Sequence, residues 1–226
     1  MGLKSYVVVV VVVVLDDLWE DNDQFQLDEL KKMLNVSEDS KVVVIVTTRN
    51  ESIANYLQTI QPYKLALLTD GYCWTIIKQK SDFDSRSDDK KQLEHIGKDI
   101  ARKCGGVALA AKVMGHMLRT FTSDEWESVR SSNIWNVSTS EETHHVLSSL
   151  RLTYSYMPSH LRLCFAYCAI FPKGQEMVKD DLIHQWISLG FIDTTHVLNT
   201  RQLDEKYITQ LLGLSFLEHS VSYRVP

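Results

Sequence analysis

The chain has 226 residues, 44% of them apolar and 23% charged, and carries a formal net charge of -5. This composition is that of a folded globular protein, and the acidic balance argues against a general nucleic-acid surface, which shows a basic excess or stripe. Four cysteines (Cys73, Cys104, Cys164, Cys168) are too few for a disulfide scaffold and fit reduced thiols in a cytosolic or nuclear setting.

The first element is a valine run. Lys4, Tyr6 and the valines of 7–14 imitate the start of a secretion signal, but the run ends in Asp16-Asp17 with no small-residue cleavage site. It is also far shorter than the roughly 20 apolar residues of a membrane helix. Valine fits a pleated surface, and an unbroken apolar run suits a parallel strand covered on both faces, so 6–15 is expected to be a buried strand. Residues 26–34 read as an amphipathic helix with Leu27, Leu30, Met33 and Leu34 on one face. A second buried strand follows at 41–46 and ends in Thr47-Thr48-Arg49; then come a short helix at 51–56 and a third strand at 63–68. Strands alternating with helices imply right-handed crossovers and a parallel sheet.

Beyond Leu68 only helices are expected: 70–79, 88–104, 108–119 after a break at Gly105-Gly106, and one from Ser123, capped by its hydroxyl with Glu127 near the first turn. Helices at 144–154, 158–169, 179–189 with Gly190 as the stop, and 203–217 complete the chain. Residues 81–89, polar with Phe83 as the sole apolar anchor, read as a linker.

Chemistry concentrates at strand ends. An apolar run ending in two acids is how a parallel sheet presents carboxylates at its carboxyl edge, where ligands of open α/β sheets bind. Asp16 is placed to hold a magnesium ion and Asp17 to orient or deprotonate a water, although two acids can also simply terminate a strand. Arg49, at the matching end of the second strand, can fork onto phosphate oxygens or be an ordinary surface arginine. His160, Cys164 and Cys168 share a helix face, but two turns spread them over about 12 Å, too far for one zinc. Trp74, Trp126, Trp135 and Trp186 read as core anchors.

Taken in order, these motifs resemble one family. The valine run ending in Leu15-Asp16-Asp17-Leu18-Trp19 looks like a Walker B strand, and 41–49 looks like a sensor strand ending in Thr-Thr-Arg. Tyr63-Lys64-Leu65, Cys73-Trp74, Cys104-Gly105-Gly106-Val107-Ala108-Leu109-Ala110, Cys164-Phe165 with Tyr167-Cys168, and Phe171-Pro172 continue the pattern. The series resembles the NB-ARC nucleotide-binding module of plant disease-resistance proteins of the leucine-rich-repeat receptor class.

That resemblance implies an incomplete P-loop NTPase-type α/β domain at 1–84, a helical domain at 85–142 and a winged-helix domain at 143–226. It implies a switch that closes on ADP and reorganises around ATP with magnesium. In it, Asp16 and Asp17 serve metal and water, Thr48 and Arg49 read phosphates, and Gly106, Ala108 and Leu109 pack on the base. Expected partners are other domains of an immune receptor or partner receptors in the cytoplasm or nucleus, with no membrane or nucleic acid. A nucleotide-free module that associates with other immune receptors is the alternative.

The chain departs from the family pattern at the phosphate grip. It holds no Gly-x-x-x-x-Gly-Lys-Ser/Thr loop, whose backbone N–H groups, lysine and hydroxyl would cradle phosphates and metal. Gly2-Leu3-Lys4-Ser5 matches only its last letters. In the family the strand preceding that loop lies between the two strands kept here, so the sheet is expected to lack its middle, with two apolar strand edges exposed or forced into a new pairing. The family's proline in the Gly-Leu-Pro-Leu-Ala turn is Ala108, and the Met-His-Asp motif is not among these residues. The resemblance thus reads as a core cut at both ends, an NTPase-derived module that binds nucleotide poorly and is not expected to hydrolyse it alone.

Overall fold

A computed structural model describes residues 10–18, 24–34, 41–86, 90–136, 141–172, 175–192 and 200–220. The chain divides into two compact units, 1–66 and 67–226.

The first unit is one strand–helix–strand crossover with a short helix after it. Strand β1 (Val10–Leu15) leads through α1 (Gln24–Leu34) to β2 (Lys41–Val46) and then α2 (Glu51–Leu57). The strands pair in parallel from Val10↔Lys41 to Leu15↔Val46. Of the two outcomes expected for strands whose central neighbour is not among these residues, exposed edges or a new pairing, the continuous ladder is the pairing. The earlier half of the expected first strand, 6–9, lies outside the described residues.

Alternation along the ladder puts Val12, Val14, Val43 and Ile45 on one face of the sheet, and all four are exposed. Burial on both faces, expected from the unbroken valines, is therefore not found. Among the described residues of this unit only Leu27 and Ile53 are buried. The stripe of α1 is likewise incomplete, with Met33 72% exposed. What ties α1 to α2 is polar: the Tyr56 hydroxyl donates to Asp28, and Lys31 Nζ donates to the Tyr56 carbonyl at 3.0 Å and lies over its ring.

The third strand expected at 63–68 is absent; this stretch carries no ladder, and Tyr63 and Leu65 are 86% and 85% exposed. Its alternation suits a strand, but a strand exists only with a neighbour to bond, and none pairs with it among the described residues.

The second unit is helical: α3 (Asp70–Lys80), α4 (Lys90–Lys103), α5 (Ala108–Leu118), α6 (Ser123–Ser131), α7 (Glu141–Tyr156), α8 (Ser159–Tyr167), α9 (Lys179–Ser188) and α10 (Thr200–Gly213). Its core runs from Cys73 to Leu214 and includes all four tryptophans expected as anchors. Trp126 and Trp135 bury their rings by donating their indole N–H groups to the carbonyls of Leu118 (3.0 Å) and Val129 (2.7 Å). Gly97 faces the Trp74 ring so closely that an added Cβ would lie 2.1 Å from it, which lets α4 approach α3.

Residues 81–86 are not a linker. Ser81 and Phe83 are buried, Phe83 meets Trp74 edge-on at 5.3 Å, and Arg86 donates to the carbonyls of Leu118, Arg119 and Phe121 at the end of α5. The polar composition misleads because these side chains satisfy another helix's orphan carbonyls rather than water. The α6 cap also differs: Thr122, not Ser123, is the N-cap, in a reciprocal capping box with Glu125.

Candidate functional site

Two sets of expected site residues fall in different units, and each is described by itself. In the first unit the two strand ends lie together. The β1–β2 ladder continues past both strands, with Thr47 N–H donating to the Leu15 carbonyl (2.9 Å) and Leu18 N–H to the Thr47 carbonyl (2.8 Å). This bonding brings the carboxylates of Asp16 and Asp17 beside Thr47, Thr48 and Arg49, thirty residues on.

Thr47 bridges both acids, although nothing in the sequence singled it out beyond its place in Thr-Thr-Arg. Its hydroxyl donates to the Asp16 carboxylate and accepts the Asp17 backbone N–H at 2.8 Å. Thr48 instead turns its hydroxyl to the Leu18 carbonyl (2.9 Å) and accepts the Asn50 N–H (3.1 Å), closing the turn into α2.

Asp17 adopts φ 51°, a left-handed conformation that costs a side chain with a Cβ but that aspartate tolerates better than most. From there its carboxylate takes both arms of Arg49: Nε at 3.1 Å and Nη2 at 3.0 Å. The side chains stay 53% and 69% exposed, so the pair is worth no more than about 1 kcal/mol. Its importance is geometric. The fork expected to face phosphate faces an internal carboxylate.

In the second unit Gly105 and Gly106 carry the chain from α4 to α5 at φ 58° and 74°. The Gly106 carbonyl accepts the Leu68 N–H at 2.9 Å, and a Cβ on Gly106 would sit 2.6 Å from the Leu68 oxygen. Only glycine fits both the conformation and the approach. His145 of α7 closes over Gly105, its Nδ1 2.9 Å from the Lys103 carbonyl. Ala108 and Leu109 open α5 on the surface, where Val107, the N-cap residue, offers no side-chain bond.

Beneath the turn, burial pushes the Cys73 thiol above its ordinary range, partly offset by a backbone hydrogen bond from Gly106. Burial raises Cys104 much further. All four cysteines are free. The His160–Cys164–Cys168 face is packing: His160 lies against Tyr207 at 5.2 Å, Cys164 is buried, and the Cys168 thiol donates to the Cys164 carbonyl.

Toward a grip on phosphate and magnesium, the described residues bring together two carboxylates, two threonine hydroxyls and an arginine. The 226 residues contain no glycine-rich phosphate loop. Arg49 is engaged by Asp17, and among the described residues no three His, Cys, Asp or Glu side chains gather as metal ligands.

A parallel strand pair with acids and an arginine on adjacent carboxyl ends, together with a helical unit, is a mixed α/β architecture. Comparison with known proteins agrees. Residues 8–87 match the NB-ARC domain family model and residues 170–225 match the disease resistance protein winged helix domain. The chain is 39% identical over 206 residues to disease resistance protein RGA1 and 38% over 207 residues to disease resistance protein RGA2, both of Solanum bulbocastanum. It is 29% identical over 216 residues to disease resistance protein RPP13 of Arabidopsis thaliana. These alignments cover 91%, 91% and 95% of this chain but only 20%, 21% and 25% of the relatives, so the chain spans about a fifth of their length. Residues 8–87 thus carry an NB-ARC domain and residues 170–225 a disease resistance protein winged helix domain, in a chain similar to plant disease-resistance proteins.

Proposed function

We propose that this chain is part of the ADP/ATP-dependent switch of a plant immune receptor and that residues 1–226 alone do not hold nucleotide. The observation that carries this reading is the carboxyl edge of β1 and β2. Asp16, Asp17 and Arg49 lie together there, while the phosphate cradle that the resemblance implies beside them is not among these residues. A nucleotide biases a switch only through contacts that differ between its states, and two acids with an internally paired arginine offer little such difference.

The reading extends to a helical part at 85–142 and a winged-helix part at 143–226, with Gly106, Ala108 and Leu109 as the surface for the base. It also takes the cytoplasm or nucleus as the protein's location. Magnesium-ADP added to the purified chain is expected to leave its melting temperature unchanged. A saturable rise, as linkage requires of any ligand that prefers the native state, overturns the claim.

The exposed Val12, Val14, Val43 and Ile45 face favours a second reading, a nucleotide-free module that associates with other immune receptors. Light scattering on the chain mixed with a relative's purified nucleotide-binding region tests it. Two species of unchanged mass remove that reading.

A further inference from the structure

The Asp17–Arg49 pair does more than join two loops. Asp17 gives up a relaxed backbone, at φ 51°, to reach the guanidinium, and it takes both Nε and Nη2 rather than one. A carboxylate in that bidentate position satisfies the same planar fork that would otherwise take two oxygens of a phosphate group. The Asp16 carboxylate is held differently, by the Thr47 hydroxyl, so the two adjacent carboxylates are held by different side chains.

We propose that Asp17 is an internal stand-in for a phosphoanion, a latch that closes Arg49 to phosphate-class ligands until the pair opens. The inference rests on the reading of this edge as a switch site and assigns Asp17 a gating role there. Because both side chains are largely solvent-exposed, the latch is weak enough to be opened by a single substitution. Removing the Asp17 charge acts twice, since it frees the fork and removes a negative charge next to the entering anion.

Inorganic pyrophosphate is the probe, titrated calorimetrically at low salt into the full chain, where exposed charges are least screened. Asp17→Asn is expected to bind it about fivefold or more tighter than the native chain. Glu29→Gln removes an equal charge from the exposed side of α1, away from this edge, leaves the Arg49 pair intact, and is expected to change affinity by less than about twofold. Arg49→Ala added to Asp17→Asn is expected to abolish the gain.

Equal gains in the two single variants, or no gain in Asp17→Asn, overturn the latch. Should Asp17→Asn fold poorly, Asp17→Gly removes the same carboxylate while suiting the left-handed backbone, and the same gain is required of it. Failure of the claim that residues 1–226 alone do not hold nucleotide is seen separately, as magnesium-ADP binding by the native chain.

Discussion

The two compact units differ in what they do with their apolar residues. In 67–226 the large side chains are inside: Trp126, Trp186, Ile77, Leu93 and Met114 are essentially without solvent contact. In 1–66 the buried apolar side chains among the described residues are Leu27 and Ile53, while valines, Phe25, Met33, Ile60 and Tyr63 face out. The chemistry-bearing acids and arginine thus sit on the unit with the thinner core, held by polar ties rather than packing. A site organised this way can be rearranged cheaply, as a switch element requires, because opening it exposes little new apolar surface.

The largest expected effect lies in the second unit. Trp126→Ala removes a fully buried indole, its bond to the Leu118 carbonyl and its contacts with Phe83 and Arg86, and is expected to cost about 3–5 kcal/mol in urea unfolding. The matched change on the sheet, Val43→Thr, is expected to stay within about 0.5 kcal/mol, because that side chain is 48% exposed. Comparable costs at the two sites would erase the distinction between the units.

Gly106→Ala comes next. It forces a Cβ into a left-handed turn against the Leu68 carbonyl and is expected to cost about 1–3 kcal/mol by the same measurement. Thr122→Ala breaks the reciprocal cap of α6 and is expected to cost about 1 kcal/mol.

Much of this was legible in the sequence where structure is local. The 41–46 strand, the helix after it, the Gly105-Gly106 break and the Gly190 stop follow from residue types whose preferences act over a few neighbours. The failures were long-range. Alternation in 63–68 cannot reveal whether a ladder partner exists, and polarity in 81–86 cannot reveal that Arg86 serves carbonyls more than thirty residues on. The Thr122-x-x-Glu125 box was readable and was displaced by the neighbouring Ser123. Asp16, Asp17 and Arg49 were found, but their pairing was not, because it depends on the strand register that sets Leu15 opposite Val46.

Titration gives a smaller and independent handle on the second unit. Burial pushes the Cys164 thiol up to about 12 from its ordinary 9.0, so the native state holds its proton where the unfolded chain has lost it. That stability is fully present below about pH 9 and is lost as pH rises toward 12. Cys164→Ala is expected to flatten the alkaline fall of the melting temperature; an unchanged slope would contradict the burial assigned to this thiol.

Hydrogen exchange on the full chain, with and without magnesium-ADP, tests the central claim most directly. Amides of β1 and β2 are expected to exchange much faster than those of α4 and α5, and nucleotide is expected to change neither. Protection in the two strands equal to that of the helical core, or rising on addition of magnesium-ADP, would contradict an acid-and-arginine edge that lacks its phosphate grip.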